Sequence, residues 1–226
     1  MNLKLFVGGA AATLSLAAAG SALAGVNVVN FDGLNGSVYE TVLNYYDGGF
    51  GGAGSGPGPN YGVVFSSNAI VGCEQGTACA NTNAANAPSA PNVMFFLSGP
   101  AATMDVAGGF TTGFSFYYSA QVGTTGFVDV WSGLDGTGTL LNSFTLPSTP
   151  DPYTVFVPIG VTFAGTAESV QFGGVANFIA FDDVTFGSST PGVPEPATWA
   201  LMLMGVAGIG GAARAARRKN AAHAVA

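Results

Sequence analysis

Between residues 25 and 192 this chain has no lysine, arginine or histidine, against eleven carboxylates. An acidic side chain that folding removes from water must there be satisfied by backbone N–H groups, hydroxyls or a bound cation, because no partner charge exists. The basic residues lie at the ends, at Lys4, Arg214, Arg217, Arg218 and Lys219, and the one histidine is His223. Several chemistries fall with that distribution. A Ser-His-Asp or Cys-His arrangement has no base, and a His-ligated zinc or copper site or a P-loop lacks its defining residue. Nucleic-acid binding is disfavoured, since nothing neutralises phosphate. Carboxylate chemistry, calcium binding, and recognition through hydroxyls, amides and aromatic rings survive.

The same span reads as β structure. Residues 27–31, 62–65, 93–97, 110–118, 127–131, 140–146, 154–163, 169–172 and 178–186 are rich in Val, Phe, Tyr and Thr. Gly, Pro, Asn, Asp and Ser separate them. Phe114, Phe116 and Tyr118 alternate with Ser115, and no stretch has helical periodicity. Nine short strands of this kind predict an all-β, two-sheet antiparallel sandwich, jelly-roll-like, over residues 25–187. Strand order is not legible at this level. Residues 47–60 carry seven glycines and two prolines and are expected to form a long flexible or Ω-type excursion. Residues 74–92, rich in Ala, Asn and Pro, also read as a surface loop. Long loops at a sandwich end serve either as binding loops or as tolerated spacers. Cys73 and Cys79 are the only cysteines. In an oxidising compartment they pair as a local staple worth about 2 kcal/mol or less. The alternative, a reactive thiol pair, lacks a nearby cation to stabilise a thiolate.

The ends have a different character. Lys4, an apolar stretch 5–19 and Ala22-Leu23-Ala24 before Gly25 fit a cleavable signal peptide over residues 1–24, with a permanent anchor as the alternative. After a linker at 188–192 come Val193, Pro194, Glu195 and Pro196, then 17 uncharged residues at 197–213, then Arg214, Arg217, Arg218 and Lys219. As a helix, that apolar segment would span roughly 25 Å, the short end of a membrane crossing. The basic cluster would hold residues 220–226 in the cytoplasm and everything before Val193 outside. A buried helix of a soluble protein is the competing reading. This ordered trio of Pro-Glu-Pro, short span and basic tail resembles the PEP-CTERM sorting signal of Gram-negative bacteria. The resemblance implies processing by an exosortase and export in organisms that make exopolysaccharide. The alanines at 215–216 and the extra tail depart from the usual uninterrupted arginines. Asn-Tyr-Tyr-Asp-Gly-Gly at 44–49, Gly-Pro-Gly-Pro-Asn-Tyr-Gly at 56–62 and Phe-Asp-Asp-Val-Thr-Phe-Gly at 181–187 look like patterns of other PEP-CTERM ectodomains, which implies a shared scaffold. The last of these also resembles the closing strand of carbohydrate-binding jelly rolls that hold a structural calcium.

Three candidate sites emerge. Asp182 and Asp183, adjacent in a strand, should point to opposite faces, with Asp182 beside Ala180 and Val184 and Asp183 beside Phe181 and Thr185. Either face then brings a carboxylate against apolar neighbours, so a calcium site using Asp182, with Asp32 as partner if the terminal strands pair, is expected. The alternative leaves both aspartates at a wet strand edge. Trp131, the one tryptophan of this span, shares a strand face with Asp129 and Phe127. That pair suits a sugar, which stacks on a ring while bonding to an acid; the competing reading is a core tryptophan. Glycoside hydrolysis needs only two spaced carboxylates, with Glu40, Asp47, Glu74, Asp105, Asp129, Asp135 and Glu168 as candidates, but no spacing pairs any two, so no catalytic residue is assigned. The expectation is an exported, non-enzymatic surface or matrix protein of structural or adhesive role. Signal peptidase and exosortase would process it, and it would bind exopolysaccharide with calcium as the only cofactor. A carboxylate-dependent polysaccharide hydrolase and a ligand-free scaffold are the alternatives. An acidic polysaccharide would need calcium to bridge it to so acidic a domain.

Overall fold

The computed structural model describes residues 27–151 and 153–191. The expected signal peptide, the sorting motif, the apolar segment 197–213 and the basic cluster lie outside the described residues. Among the described residues there are eleven strands: β1 (Asn27–Val29), β2 (Val63–Phe65), β3 (Ile70–Cys73), β4 (Asn92–Phe95), β5 (Ala101–Phe110), β6 (Phe114–Ala120), β7 (Gly126–Trp131), β8 (Leu140–Leu146), β9 (Val157–Val161), β10 (Ala167–Gly173) and β11 (Ile179–Phe186). Among the described residues helix is limited to 3-10 turns at Gly36–Val38 and Leu134–Gly136. One sheet runs β3-β4-β11-β6-β9, with β1 also on β11; the other runs β2-β5-β10-β7-β8. Each pairing is antiparallel.

The alternation of β6 and β10 explains why the sheets close on each other. Phe114 and Phe116 of β6 and Phe181 of β11 point inward from the first sheet, and Phe172 of β10 meets them from the second. Phe172 packs 5.8 Å from Phe116 and 5.1 Å from Phe181, both edge-on, a geometry that adds about 0.5 to 1.5 kcal/mol per pair beyond area burial.

Two strands depart from the sequence expectation. Ile70–Cys73 is only four residues long, too short to show alternation, and half of Ala101–Phe110 is Ala and Gly, which dilutes the β-branched, aromatic signature. Yet β5 is central, pairing with β2 on one side and β10 on the other. It holds its place through Ala102, Met104 and Val106, which alternate into the core.

The glycine-rich stretch 47–60 is not a loose excursion. Gly48 N–H bonds the Pro59 carbonyl at 3.2 Å and closes its base, and the buried Glu40 organises its tip. One Glu40 oxygen accepts from Ala53 N–H at 2.8 Å and Ser55 N–H at 3.0 Å; the other accepts from Asn35 N–H and the Ser55 hydroxyl, both at 2.6 Å. A Cβ at Gly51 would sit 2.5 Å from that carboxylate, and one at Gly58 would sit 2.3 Å from the Tyr45 carbonyl oxygen. The glycines are there to let backbone approach.

Burial opposes ionisation of Glu40, but the Ser55 hydroxyl and the three N–H groups outweigh it and hold the carboxyl below its ordinary value. Glu40→Ala should therefore lower stability by roughly 3 kcal/mol, read as a shift in urea midpoint at neutral pH. Because the folded-state value is depressed, this stabilisation is present above the unfolded carboxyl value of about 4.3 and is lost as pH falls through the folded one. The penalty of the substitution should shrink in acid.

Candidate functional site

β11 changes partner midway along one edge. Phe181 pairs with Met94 of β4, whereas Val184, Thr185 and Phe186 pair with Val29, Val28 and Asn27 of β1. Asp182 and Asp183 fall at the changeover. On the other edge the register with β6 slips: Asp182 opposes Tyr117 and Thr185 opposes Ser115, so an extra residue stands in between. This is a β-bulge, and Asp183 takes the left-handed backbone it needs, with φ 46°. The bulge corrects the expected alternation. Ile179, Phe181 and Val184 are all in the core, with Phe186 packed on it, and both aspartates are left on the opposite face, beneath residues 74–92.

Asp182 and Asp183 are fully buried. Ser89 covers Asp182, donating its N–H to one oxygen at 3.0 Å, with its hydroxyl 3.2 Å from both. The N–H of Asp183 adds a 2.8 Å bond. The Ser89 hydroxyl also lies 3.2 Å from the Asn30 carbonyl oxygen. Asp32, just past β1, accepts the Asn92 N–H at 3.2 Å. Asn92 is itself locked, its amide donating to the Phe31 and Leu34 carbonyls at 3.0 and 2.8 Å. The two carboxyl oxygens of Asp183 are buried and have no hydrogen-bond partner. Burial, reinforced by the neighbouring Asp183 charge, pushes Asp182 well above the carboxylate range. Burial raises Asp183 to about 6, the Asp32 charge assisting. Asp32 is raised by burial, tempered by the Asn92 N–H. The sequence points to Asp32 and Asp182 but not to Asp183, which only the bulge brings to the same side.

Cys73 and Cys79 form the expected disulfide, with Cα atoms 5.7 Å apart. The backbone of Cys73 also anchors the loop beyond the disulfide. Its N–H bonds the Asn81 side-chain oxygen at 2.8 Å, and its carbonyl accepts the N–H groups of Asn81 and Thr82 at 3.1 and 3.0 Å. The segment 74–92 packs on the outer side of the first sheet, where Ala84 meets Val93 and Ala180.

Trp131 is not a core residue. It lies half-buried on the outer face of the second sheet with Phe127 and Asp129, its indole N–H donating to Gln171 at 3.1 Å. One Asp129 oxygen is buried there without a partner. The carboxylates considered for hydrolysis mostly serve other ends. Glu40 holds the glycine-rich loop, and Glu74 accepts the Ala87 N–H at 2.9 Å. Asp105 and Asp135 are brought together: Asp105 accepts the Asp135 N–H at 2.8 Å, and burial and that neighbour leave it raised.

Among the described residues no helix is long and apolar enough to cross a membrane; the segment that sequence marks for that role is not among them. Residues 192–219 match the PEP-CTERM protein-sorting motif. The motif implies an exported, membrane-anchored substrate of the exosortase pathway. No curated protein matches the chain. Among solved structures, a glycoside hydrolase family 43 arabinoxylan arabinofuranohydrolase from Bacillus subtilis, in complex with cellotetraose, is 18% identical over 45% of this chain and 23% of that one, with a TM-score of 0.32. The chain thus spans less than a quarter of that enzyme's length, and a likeness of this size carries no argument.

The raised Asp183 has a consequence for stability. Its folded value lies above the unfolded one, so the native state holds the proton longer, and stability should fall as pH rises from about 4 through about 6. Asp32 and Asp182 are the titrating groups that act with it, and the Tyr46 hydroxyl faces those two. In chelator, Asp183→Asn should flatten that limb and raise neutral-pH stability by about 2 to 3 kcal/mol, measured as melting temperature against pH.

Proposed function

We propose that this chain is an exported cell-surface or matrix protein, released through signal peptidase and exosortase processing, whose sandwich is non-enzymatic and serves a structural or adhesive role by binding exopolysaccharide. The strand order β4-β11-β6-β9 facing β5-β10-β7-β8 supports a jelly-roll reading of the sandwich. A structural calcium ion belongs to the proposal. The observation that carries it is Asp183: two buried, partnerless carboxyl oxygens beside Asp182 and Asp32, in a span without a single basic residue. Asp32, Asp182 and Asp183, with the Asn30 carbonyl and the Ser89 hydroxyl, form an all-oxygen donor set, which fits calcium and not the thiolate- or imidazole-seeking metals. As they stand, no three acidic, His or Cys side chains among the described residues are gathered to ligand spacing. Binding therefore requires adjustment around Ser89. Because Asp182 and Asp183 are fully buried, the ion would tie β11 to the segments beside β1 and β4 and would not bridge to a polymer.

Thermal unfolding of the full chain at pH 7, in calcium and in chelator, tests this. At a calcium concentration a hundred times its dissociation constant, stabilisation of about 2.7 kcal/mol is expected, or about 5 to 10 °C for a chain of this size. Asp183→Asn should abolish the response. A melting temperature indifferent to calcium in the unmodified chain would remove the ion from the proposal. Co-sedimentation with the producing cells' exopolysaccharide tests the binding role separately.

A further inference from the structure

A second feature on the outer side of the first sheet is a cavity of about 280 Å³ between residues 81–84, just beyond the disulfide, and the end of β4. Val93 and Ala180 floor it, and Tyr39, Phe95, Leu97 and Tyr153 supply apolar walls. The rings are fixed in place. Tyr39 meets Phe95 edge-on at 5.9 Å and its hydroxyl donates to the Asn81 carbonyl at 2.6 Å. The Tyr153 hydroxyl lies 3.3 Å from both the Gln121 side-chain oxygen and the Asn177 carbonyl. The mouth is wet, with Tyr39 40% and Leu97 53% exposed.

The polar part of the lining divides sharply. Asn81 is spent on its surroundings, accepting the Cys73 N–H and donating to the Gly36 carbonyl at 2.9 Å. Thr82 likewise donates to the Cys73 carbonyl at 2.9 Å. The side-chain amides of Asn83 and Asn177 have no partner among the described residues and border the cavity from opposite loops. Each offers a donor pair and an acceptor. No charged side chain lines the cavity.

We propose that this cavity binds a single uncharged pyranose residue of a glycan, stacked against Tyr39 or Tyr153 and held through its hydroxyls by Asn83 and Asn177. Rigid rings beside a few placed polar groups are the usual makeup of a small-molecule site. The volume, at the low end for such sites, suits one sugar ring and not an extended chain. With eleven carboxylates and no basic side chain between residues 25 and 192, the field of the domain disfavours an anionic sugar. This proposal rests on the exopolysaccharide-binding reading and moves its site from Trp131 and Asp129 to the opposite sheet.

The test uses isothermal titration of the full chain with the methyl glycosides of glucose, galactose, mannose and N-acetylglucosamine, beside co-sedimentation with the producing cells' exopolysaccharide. At least one glycoside should bind with a dissociation constant of about 1 mM. Asn83→Ala, an exposed residue without a hydrogen bond, should weaken it about fivefold to tenfold without changing the melting temperature. Asn177→Gly, which keeps the left-handed backbone of φ 65°, should act alike, and Trp131→Ala should leave binding intact. Pelleting that Asn83→Ala abolishes also supports the cavity, even where no single glycoside is bound. Binding or pelleting that Trp131→Ala abolishes and Asn83→Ala does not would overturn the cavity while leaving the matrix reading in place. No binding and no pelleting in the unmodified chain would overturn both.

Discussion

The fold depends on how anions are buried without cations. In most domains a buried carboxylate is paired with arginine or lysine; here none exists between residues 25 and 192, so backbone N–H groups take that role. Glu40 draws four donors from two loops, Glu74 takes the Ala87 N–H, and Asp105 takes that of Asp135. Much of the irregular chain is thereby organised around carboxylates. A loop that must deliver several N–H groups to one oxygen pair needs tight turns and close backbone approach, which is what glycine permits. The glycine content and the absence of basic residues are two sides of one design.

β11 carries the opposite demand. It is shared by β1, β4 and β6, and its inward side supplies Phe181 and Val184 to the core. Strict alternation would have sent either Asp182 or Asp183 into that core. The bulge removes the conflict by inserting one residue, which keeps the apolar side in register before and after it and turns both acids to the other side. Electrostatic strain is not removed by this but concentrated: two acids now share one buried space, and only Asp182 has donors. A site where local rules fail is where a function is expected to lie.

Legibility in the sequence tracks which signals are local. The sandwich, most of its strands, the disulfide and the sorting motif each rest on short patterns and can be read. β5 cannot, because Ala and Gly give no strand signal and its position is fixed by β10 and β2 on either side. The sidedness of Asp182 and Asp183 escapes a sequence reading for a related reason: a bulge is set by register against a partner strand, which no single strand encodes. The alternation Gly126–Trp131 alone cannot choose between core and surface for Trp131. Its pairing opposite Ser169 on the outer face decides it. The cavity is not legible at all, since Tyr39, Asn83, Phe95, Tyr153 and Asn177 come from five separate segments.

The segment 74–91 links the two regions of interest physically. Ordering a stretch with no strand of its own costs about 1 to 2 kcal/mol per residue in backbone entropy, far more than a short disulfide loop returns. The staple at Cys73 and Cys79 fixes only the beginning. Beyond it, Asn81 and Thr82 are held to the Cys73 backbone, Glu74 holds Ala87, and Ser89 is held by Asp182. The cavity wall therefore lies between a covalent anchor at one end and a buried carboxylate at the other. Whatever neutralises Asp182 and Asp183, a proton or a metal ion, alters the strength of the second anchor.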